Sequence, residues 1–523
     1  MANKIEDLKA AKDGLALKAE IARFAEIGWE AIDDDDLQHR LKWLGVFFRK
    51  STPGRFMVRM RIPNGLLSSD QMRILASIVE KCGEHGVADI TTRQNIQMRG
   101  ILIEDVPEMF DKFRSVGLTS VQSAMDNIRN ITGSPVAGID ANELYDTREL
   151  AIQVQNLLTN NGEGNPAFTN LPRKFNIAIA GCRDNSTHAE INDLAFVPAF
   201  KEESKETFGF NVLVGGFFSS KRIAAAIPLD VWVPPEDVVA LCEALLIVFR
   251  DNGLRENRQK SRLMYLIDEW GIEKFRTEVE KQMGKPLASA AAKDEIEWEK
   301  RDHIGVHKQK QAGLNYVGLQ IPVGRMYAPD MYEFARLAET YGNGDMRLTV
   351  EQNLLITHVS DEKVTALLQE PLLQKFPVAP NNLMRGLVSC TGNQFCPVAI
   401  VETKNRSLAL TKQLAEDYEL KKVVRIHWSG CPNSCAQPQV ADIGFTGCKA
   451  RKNGKVVDGV DIYMGGTVGK DAHLGTCVME KVPCEDLHEV VGKLLVEHFG
   501  AVPRNGSTDA AITTPSIELV SVN

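Results

Sequence analysis

The stretch Met60-Arg61-Ile62-Pro63-Asn64-Gly65 returns later in the chain as Leu319-Gln320-Ile321-Pro322-Val323-Gly324, 259 residues further on. A second match follows at an offset of 258, where Thr92-Arg93-Gln94-Asn95-Ile96 corresponds to Val350-Glu351-Gln352-Asn353-Leu354. This spacing is far longer than the period of a solenoid repeat. It therefore predicts two homologous halves related by a pseudo-two-fold axis.

Three later matches keep the same order and have offsets of 249 or 250. They are Gly181-Cys182 with Gly430-Cys431, Asp193-Leu194-Ala195-Phe196 with Asp442-Ile443-Gly444-Phe445, and Val214-Gly215-Gly216 with Met464-Gly465-Gly466. Chance similarity of common dipeptides is the alternative explanation, but chance would have to reproduce both order and spacing.

The chain alternates strand patterns with helical patterns such as Asp70 to Lys81 and Pro107 to Val116. This alternation predicts a mixed α/β fold with several domains. The expected segments are a helical N-terminal arm over 1–50, a central domain made from 51–122 plus 308–383, α/β domains over 123–307 and 384–505, and a tail over 506–523.

Composition narrows the possible functions. The 523 residues carry a net charge of −8, which favours neither nucleic acid nor an anionic membrane as a partner. No apolar run is long enough to span a bilayer, and the first thirty residues lack the features of a signal or transit peptide. We therefore expect a cytoplasmic protein of bacterial type, and a monomer.

Four of the ten cysteines form two tight pairs, Cys390-x5-Cys396 and Cys431-x3-Cys435. Zinc sites usually begin with a two-residue gap, whereas wider gaps suit thiolates spread over an iron-sulfur cubane. Structural zinc and unrelated buried thiols remain as alternatives. The first half has Asn185-Ser186 where the second has Ser434-Cys435, so only the second half can build the cluster. We expect the other six cysteines to be small buried hydrophobes.

Three predicted strands carry cationic or amide side chains on one face. Arg59 and Arg61 alternate with apolar residues in the first, and Lys174 and Asn176 do so in the third. The second strand, Thr91 to Arg99, places Arg93, Asn95, Gln97 and Arg99 on one face. Solvent-facing sides of half-buried strands would give the same pattern. Together with Arg129 and the basic stretch from Arg255 to Arg262, however, they favour binding of an anion or a polycarboxylate cofactor.

These residues and the Cys-Thr-Gly-x-x-Phe-Cys and Gly-Cys-Pro-Asn-Ser-Cys motifs resemble the sirohaem-dependent nitrite and sulfite reductases, most closely the ferredoxin-nitrite reductases of cyanobacteria and plastids. The resemblance runs from about residue 20 to about residue 500. It implies a central domain of two ferredoxin-like halves, a 4Fe-4S cluster on Cys390, Cys396, Cys431 and Cys435, and a sirohaem. It also implies that Cys435 bridges the cluster to the sirohaem iron.

The same resemblance implies roles for the polar residues. Arg59, Arg129, Lys174 and Asn176 match the family's substrate pocket, and Arg93, Gln97, Lys260 and Arg262 match its sirohaem-carboxylate ligands, with Asn95 and Gly465-Gly466 close by. The chain departs from related sulfite reductases at Asp89, where they carry arginine. A nucleotide role for Gly465 to Lys470 is disfavoured because the P-loop spacing is missing.

Residue 176 decides the expected substrate. Sulfite reductases that resemble this chain have Lys-Phe-Lys, whereas this chain has Lys174-Phe175-Asn176, the pattern typical of nitrite reductases. We therefore expect reduction of nitrite to ammonium. A ferredoxin-dependent sulfite reductase and a non-catalytic protein with a structural metal site remain as alternatives.

Electrons have to come from a partner, because the chain has no Gly-x-Gly-x-x-Gly dinucleotide turn. Residues 421–455 are strongly basic and flank the cluster cysteines. They predict a docking patch for a reduced ferredoxin that includes Lys449, Arg451 and Lys452. An ordinary solvated basic face is the alternative.

Overall fold

The computed structural model describes residues 3–504, so the predicted tail over 506–523 lies outside the described residues. These residues fall into two compact units. Unit 1 lies within Met1–Phe217 and Lys221–Val378, and unit 2 lies within Phe218–Ser220 and Ala379–Asn523. The finer division of the chain into domains stays a prediction.

The described residues form fifteen α-helices. They are α1 (Lys4–Ala11), α2 (Ile21–Ile27), α3 (Asp34–Gln38), α4 (Ser69–Lys81), α5 (Val106–Ser115), α6 (Arg148–Thr159), α7 (Val238–Asn252), α8 (Leu263–Trp270), α9 (Ile272–Met283), α10 (Ala328–Tyr341), α11 (Asp361–Leu368), α12 (Leu372–Lys375), α13 (Asn382–Arg385), α14 (Lys404–Asp417) and α15 (Leu487–Phe499).

The same part of the chain forms twenty-four strands. They are β1 (Val46–Phe47), β2 (Phe56–Arg59), β3 (Leu66–Ser68), β4 (Val87–Ile90), β5 (Ile96–Ile101), β6 (Thr132–Gly133), β7 (Ile177–Ile179), β8 (Leu194–Phe200), β9 (Phe208–Val214), β10 (Phe217–Phe218), β11 (Ile223–Ala224), β12 (Ile227–Val233), β13 (Gly305–Lys308), β14 (Leu314–Leu319), β15 (Arg325–Met326), β16 (Asp345–Leu348), β17 (Leu354–Ser360), β18 (Leu387–Ser389), β19 (Tyr418–Glu419), β20 (Ile426–Ser429), β21 (Ile443–Lys452), β22 (Lys455–Met464), β23 (Thr476–Pro483) and β24 (Val502–Pro503).

Two sheets of unit 1 exchange strands. One has the order β1-β2-β5-β4-β15 and the other the order β13-β14-β17-β16-β3. Each sheet therefore takes its last strand from the other half of the sequence, because β15 pairs with β4 and β3 pairs with β16. This reciprocal exchange confirms the mixed α/β fold with two homologous halves.

The repeated Gln-Asn dipeptide joins the two halves. Gln94 and Gln352 both adopt the left-handed conformation, with φ of 52° and 68°. The side chain of Gln94 donates to the Leu348 carbonyl at 3.1 Å, and that of Gln352 donates to the Ile90 carbonyl at 2.9 Å. Each glutamine thus caps the end of a strand from the other half, which explains why the dipeptide occurs in both copies.

One continuous hydrophobic core fills the space between these sheets and their helices. It includes Leu75 and Val79 of α4 and Phe334 and Leu337 of α10, all fully buried or nearly so. The apolar residues of both helices recur at three- and four-residue spacing, which places them on one face. The sequence pattern from Asp70 to Lys81 predicts α4 to within one residue.

A third sheet of unit 1 and the large sheet of unit 2 share one topology. In the order β6-β7-β8-β9-β12 the first two pairings are parallel and the last two antiparallel, and the order β18-β20-β21-β22-β23 repeats this pattern. The later repeat matches fall at equivalent positions, since Leu194 opens β8 and Ile443 opens β21. The two sheets therefore have the same topology, as expected of two copies of a repeat.

The predicted polar strands are shorter than the sequence pattern indicates. Strand β2 ends at Arg59, β5 begins only at Ile96, and β7 begins at Ile177. The residues before β5 form a tight turn closed by a hydrogen bond from Thr91 N to the Asn95 carbonyl, so Arg93 and Asn95 lie in a turn and not on a strand face. No helix within residues 3–504 is long and apolar enough to cross a bilayer.

Candidate active site

The first cationic residue, Arg59, ends strand β2 and lies opposite Gln97 of β5 in the antiparallel register. Directly opposite residues in such a pair have neighbouring side chains. With its amide oxygen turned toward Arg59, Gln97 accepts from both Nε and Nη2 at 3.2 Å. The Arg59 guanidinium also lies over the Phe47 ring at 4.9 Å, which restricts its orientation.

Arg129 is a half-buried cation in a segment that extends the third sheet. Its backbone N–H donates to the Phe175 carbonyl at 2.7 Å, and Ile128 forms a parallel bridge with Phe175. Among residues 3–504, its Nη1 atom is buried and has no hydrogen-bond partner. Burial first, and then the nearby charge of Arg59, lower the pKa of Arg129 well below its ordinary value, and Arg93 adds to this effect. The structure thus brings three predicted site arginines together.

The side chain of Arg61 does not join this cationic group, contrary to the prediction that it shares a free polar face with Arg59. It is fully buried and donates to the carbonyls of Gln122, Ile128 and Arg129 at 3.0, 2.9 and 3.2 Å. Burial lowers the pKa of Arg61 to about 10. Arg61 therefore holds the backbone that carries Arg129.

Asn130 makes a second link between the arginine-bearing segments. Its side-chain oxygen accepts from Ile62 N at 2.7 Å, and its amide donates to the Ile62 and Arg93 carbonyls at 2.7 and 2.8 Å. Sequence reasoning missed Asn130, and its position directly after Arg129 was the only signal. Three segments, which carry Arg59, Arg93 and Arg129, are fixed to one another through this side chain.

The turn before β5 places Arg93 and Asn95 differently. Arg93 Nη1 donates to the Asn192 side-chain oxygen at 3.3 Å. Asn95 is buried and its amide donates to the Met60 carbonyl at 2.9 Å, so this side chain braces the turn. The side chain of Arg93 therefore lies near the other site arginines, whereas the buried side chain of Asn95 stabilises the turn that carries Arg93.

Lys174 and Asn176 flank Phe175, whose backbone pairs with the Arg129 segment. Lys174 is half-buried and Asn176 is buried. The backbone N–H of Asn176 donates to Asp193 Oδ2 at 2.9 Å. Its side-chain oxygen is buried without a hydrogen-bond partner in the described part of the chain.

Arg262 and Lys260, predicted as a pair of cofactor ligands, occupy different environments. Arg262 is buried, forms a bidentate ion pair with Asp193 and lies over the Phe217 ring at 4.7 Å. Lys260 is exposed and has no ion-pair partner among residues 3–504. Asp193 was not predicted as a site residue, although its recurrence as Asp442 in the repeat was a signal.

Asp89, where related sulfite reductases have arginine, sits between two arginines. It accepts from Arg99 Nη1 and from Arg325 Nε, the latter at 3.0 Å, and all three side chains are largely buried. Asp89 also lies opposite Gln97 on the neighbouring strand. Arg99 therefore shares the single negative charge of Asp89 with Arg325, and this buried ion pair holds its side chain in place.

In unit 2, both cysteine pairs follow adjacent parallel strands. Cys390 comes directly after β18, and Cys431 lies two residues after β20. Because these strands are parallel, their loops leave the same edge of the sheet. Gly430 N donates to Cys390 Sγ at 3.1 Å, which links the two loops. The thiols of Cys390 and Cys431 each lie within electrostatic range of Cys435, and Cys431 also lies within range of Cys396.

The donor set of unit 2 fits an iron-sulfur cluster. Burial, followed by the nearby Cys435 charge, raises the pKa of Cys390 to about 12, so bound iron has to displace a proton there. Within residues 3–504, no three His, Cys, Asp or Glu side chains converge on a single metal ion. A cubane does not need such convergence, because each thiolate binds a different iron.

The remaining cysteines and glycines are partly as predicted. Cys82, Cys182 and Cys242 are buried, but Cys477 is exposed and was wrongly predicted to be buried, and Cys448 and Cys484 are half-buried.

The two predicted cofactor glycines follow strand β22, and Gly465 has a φ of 78°. A side chain at Gly466 would meet the Gln439 carbonyl at 2.4 Å, so this position requires glycine.

The basic residues of unit 2 are partly neutralised. Lys449 pairs with Asp458 at 2.8 Å, and Lys452 pairs with Glu485 and Asp486 at 3.1 and 2.7 Å. Lys449 and Arg451 lie two residues apart on β21 and are both exposed, so they share one face. Arg451 has no ion-pair partner in the described residues.

Comparisons with known proteins agree with this geometry. The family model for the nitrite and sulphite reductase 4Fe-4S domain matches residues 124–287 and 381–500. The model for the nitrite/sulfite reductase ferredoxin-like half domain matches residues 48–116 and 307–373.

Individual relatives match along almost their whole length. A protein named ferredoxin--nitrite reductase from Leptolyngbya laminosa is 64% identical over 503 residues, which is 96% of this chain and 98% of that protein. A chloroplastic ferredoxin--nitrite reductase from Zea mays is 51% identical, with 97% and 91% covered. The solved structure of the Mycobacterium tuberculosis NirA protein has a TM-score of 0.87 at 30% identity and covers 97% of this chain and 94% of its own. The chain belongs to the nitrite and sulphite reductase family.

Proposed function

We propose that this chain is a ferredoxin-dependent nitrite reductase, an assimilatory enzyme that reduces nitrite to ammonium with six electrons. The observation that carries the proposal is the group of Arg59, Arg93 and Arg129, whose charges lie close enough to depress the pKa of Arg129. The Nη1 atom of Arg129 is buried without a hydrogen-bond partner among residues 3–504, and such a donor is costly unless a ligand binds there. Nitrite and the carboxylates of sirohaem are such ligands.

The cofactors of this enzyme are a 4Fe-4S cluster and a sirohaem. We assign the cluster to Cys390, Cys396, Cys431 and Cys435, with Cys435 as the bridge to the sirohaem iron. When bound, the two groups would supply single electrons and the iron at which the substrate is reduced. We assign Arg93, Gln97, Lys260 and Arg262 to the carboxylates of sirohaem, and we also assign Asn95, Gly465 and Gly466 to binding of this cofactor.

The substrate residues bind an anion and supply protons. Arg59, Arg129 and Lys174 present cationic donors, which stabilise negative charge on the oxygens of nitrite as its N–O bonds break. The buried, unpartnered Nη1 of Arg129 is a donor available for this contact. Lys174, or water that it holds, is the proton donor in this proposal. The amide of Asn176 adds polarity without a fourth charge, which suits a monoanion.

Steady-state kinetics with reduced ferredoxin test the substrate directly. We expect kcat/KM for nitrite to exceed that for sulfite, and formation of ammonium as the product. A larger kcat/KM for sulfite would replace the proposal with the alternative of a sulfite reductase.

For ferredoxin we propose the face of β21 that carries Lys449 and Arg451. Arg451 is the stronger candidate, because Lys449 and Lys452 are already paired with acidic residues. R451E should raise the KM for ferredoxin and weaken its dependence on salt. The matched control is K493E, which changes the net charge equally at a surface pair on α15. Equal effects of both substitutions would place the docking face elsewhere.

The cytoplasmic location and the monomeric state remain predictions from the sequence.

A further inference from the structure

The equivalent sheets of the two units place residues 176 and 425 at the same register position. Asn176 N donates to Asp193 Oδ2 at 2.9 Å, and Arg425 N donates to Asp442 Oδ2 at 2.7 Å. The carbonyl of each residue accepts from the residue after the aspartate, Leu194 in one case and Ile443 in the other. The backbone arrangement is the same in both copies, and only the side chains differ.

The aspartates obtain their charge partners in different ways. In unit 2, the side chain of Arg425 turns back onto Asp442, with Nε at 3.1 Å and Nη2 at 2.7 Å. In unit 1, Arg262 takes this place and pairs with both oxygens of Asp193, with Nε at 3.0 Å from Oδ1. Arg262 comes from a segment 69 residues further along the chain.

In unit 1, Arg262 and not residue 176 neutralises the repeated aspartate, Asp193. Because Arg262 satisfies Asp193, the side chain of residue 176 is not needed for charge neutralisation. The oxygen of Asn176 is in fact buried and without a hydrogen-bond partner among residues 3–504. An unpaired buried polar atom is costly to the fold, so its persistence indicates a ligand-binding role.

We propose that Asp193 and Arg262 are positioning residues that release the side chain of residue 176 into the substrate site, and that this pair thereby allows residue 176 to control selectivity between a monoanion and a dianion. The inference rests on the proposed function of Asn176. It adds a positioning role to the sirohaem-carboxylate role proposed above for Arg262.

The proposal predicts coupling between positions 176 and 262. In N176K, Arg262 still neutralises Asp193, so the new ammonium remains in the substrate site, where it favours a dianion. In the double variant N176K/R262Q, Asp193 has lost its partner. The ammonium then turns back onto Asp193, as Arg425 does onto Asp442, and the site loses the added charge.

The experiment compares the cofactor-loaded wild type, N176K and N176K/R262Q with reduced methyl viologen, which avoids effects on ferredoxin docking. We measure kcat/KM for sulfite and for nitrite. N176K should raise the sulfite-to-nitrite ratio by about tenfold, and the double variant should return it to within about threefold of wild type. If N176K leaves the ratio unchanged, the proposed role of residue 176 in substrate choice fails. If N176K raises the ratio and the double variant keeps the increase, the role of Arg262 fails.

A crystal structure of N176K/R262Q gives a readout independent of activity. The introduced ammonium should lie within hydrogen-bond distance of the Asp193 carboxylate, and an ammonium directed away from Asp193 would overturn the inference. R262Q alone leaves a buried carboxylate uncompensated, whereas the double variant restores a cation and is therefore the decisive protein.

The matched control is R347Q, which removes another buried arginine that pairs with an aspartate, Asp345, on β16. Combined with N176K, as N176K/R347Q, it should leave the raised sulfite-to-nitrite ratio of N176K unchanged. A return of the ratio to the wild-type value in N176K/R347Q would show that the ratio responds to loss of any buried ion pair, and would contradict the inference.

Discussion

Replacement of Arg129 by glutamine should stabilise the protein while it reduces activity. Arg129 is half-buried, its buried Nη1 has no hydrogen-bond partner among the described residues, and the charges of Arg59 and Arg93 disfavour its cationic form. An unsatisfied buried group costs about 1–3 kcal/mol, and glutamine carries no charge to desolvate. R129Q should therefore raise the free energy of unfolding by about 1–3 kcal/mol in the absence of nitrite.

The same residue should be essential for turnover. Loss of one oriented donor to developing negative charge costs about 2.7–4 kcal/mol, so kcat/KM for nitrite should fall by about 10²–10³-fold. R129K keeps the charge but loses the planar fork, and we expect an intermediate activity.

Denaturant unfolding of the cofactor-loaded protein, with and without nitrite, measures the first effect, and steady-state kinetics measure the second. Nitrite should stabilise the wild type and should have little effect on R129Q. If R129Q instead unfolds several kcal/mol more easily than wild type, Arg129 is a structural residue and the reasoning from its unpaired charge is refuted.

Three further predictions concern other parts of the chain. C435S should abolish both activity and the coupled sirohaem spectrum, and retention of both in absorption and turnover measurements would exclude Cys435 as the bridge. N130A should raise the KM for nitrite by about tenfold, because it removes the hydrogen bonds to the Arg93 and Ile62 carbonyls, each of which contributes about 1 kcal/mol. An unchanged KM would contradict the role of Asn130 in holding the arginine-bearing segments together. D126N should destabilise the protein by about 3–5 kcal/mol at neutral pH, because Asp126 is buried and paired with Arg258 and Lys9. Burial opposes ionisation of Asp126, but the ion pair with Arg258 prevails and lowers its pKa, so this stability is present above the unfolded pKa near 3.9 and is lost as pH falls through the folded pKa. The difference between wild type and D126N in urea unfolding should shrink as the pH is lowered, and a constant difference would contradict the assignment.

The sequence repeat predicted most of the architecture, because it reflects positions where backbone geometry restricts the side chain. The Gln-Asn dipeptide recurs since Gln94 and Gln352 cap strands across the two halves. The cysteine spacing likewise identified the loops after β18 and β20, because adjacent parallel strands deliver their loops to one edge of a sheet.

Alternation of polar and apolar residues was less reliable for the site. It predicted that Arg59 and Arg61 share one polar face, although the Arg61 side chain donates hydrogen bonds to three backbone carbonyls. The alternation also predicted a strand from Thr91 to Asn95, where the structure has a turn. A residue with a left-handed backbone, such as Gln94, does not change the polar and apolar pattern of the sequence, so the turn could not be recognised from it. Tertiary ion pairs, such as Asp193 with Arg262, join residues far apart in the sequence, and no local pattern indicates them.

The central claim is that this chain reduces nitrite with a sirohaem and a 4Fe-4S cluster. An absorption titration of the purified protein with nitrite tests it most directly. We predict the bands of an isobacteriochlorin that shift on addition of nitrite and reach saturation, with acid-labile sulfide present in the same sample. A protein that lacks these bands, or whose bands do not respond to nitrite, would contradict the account.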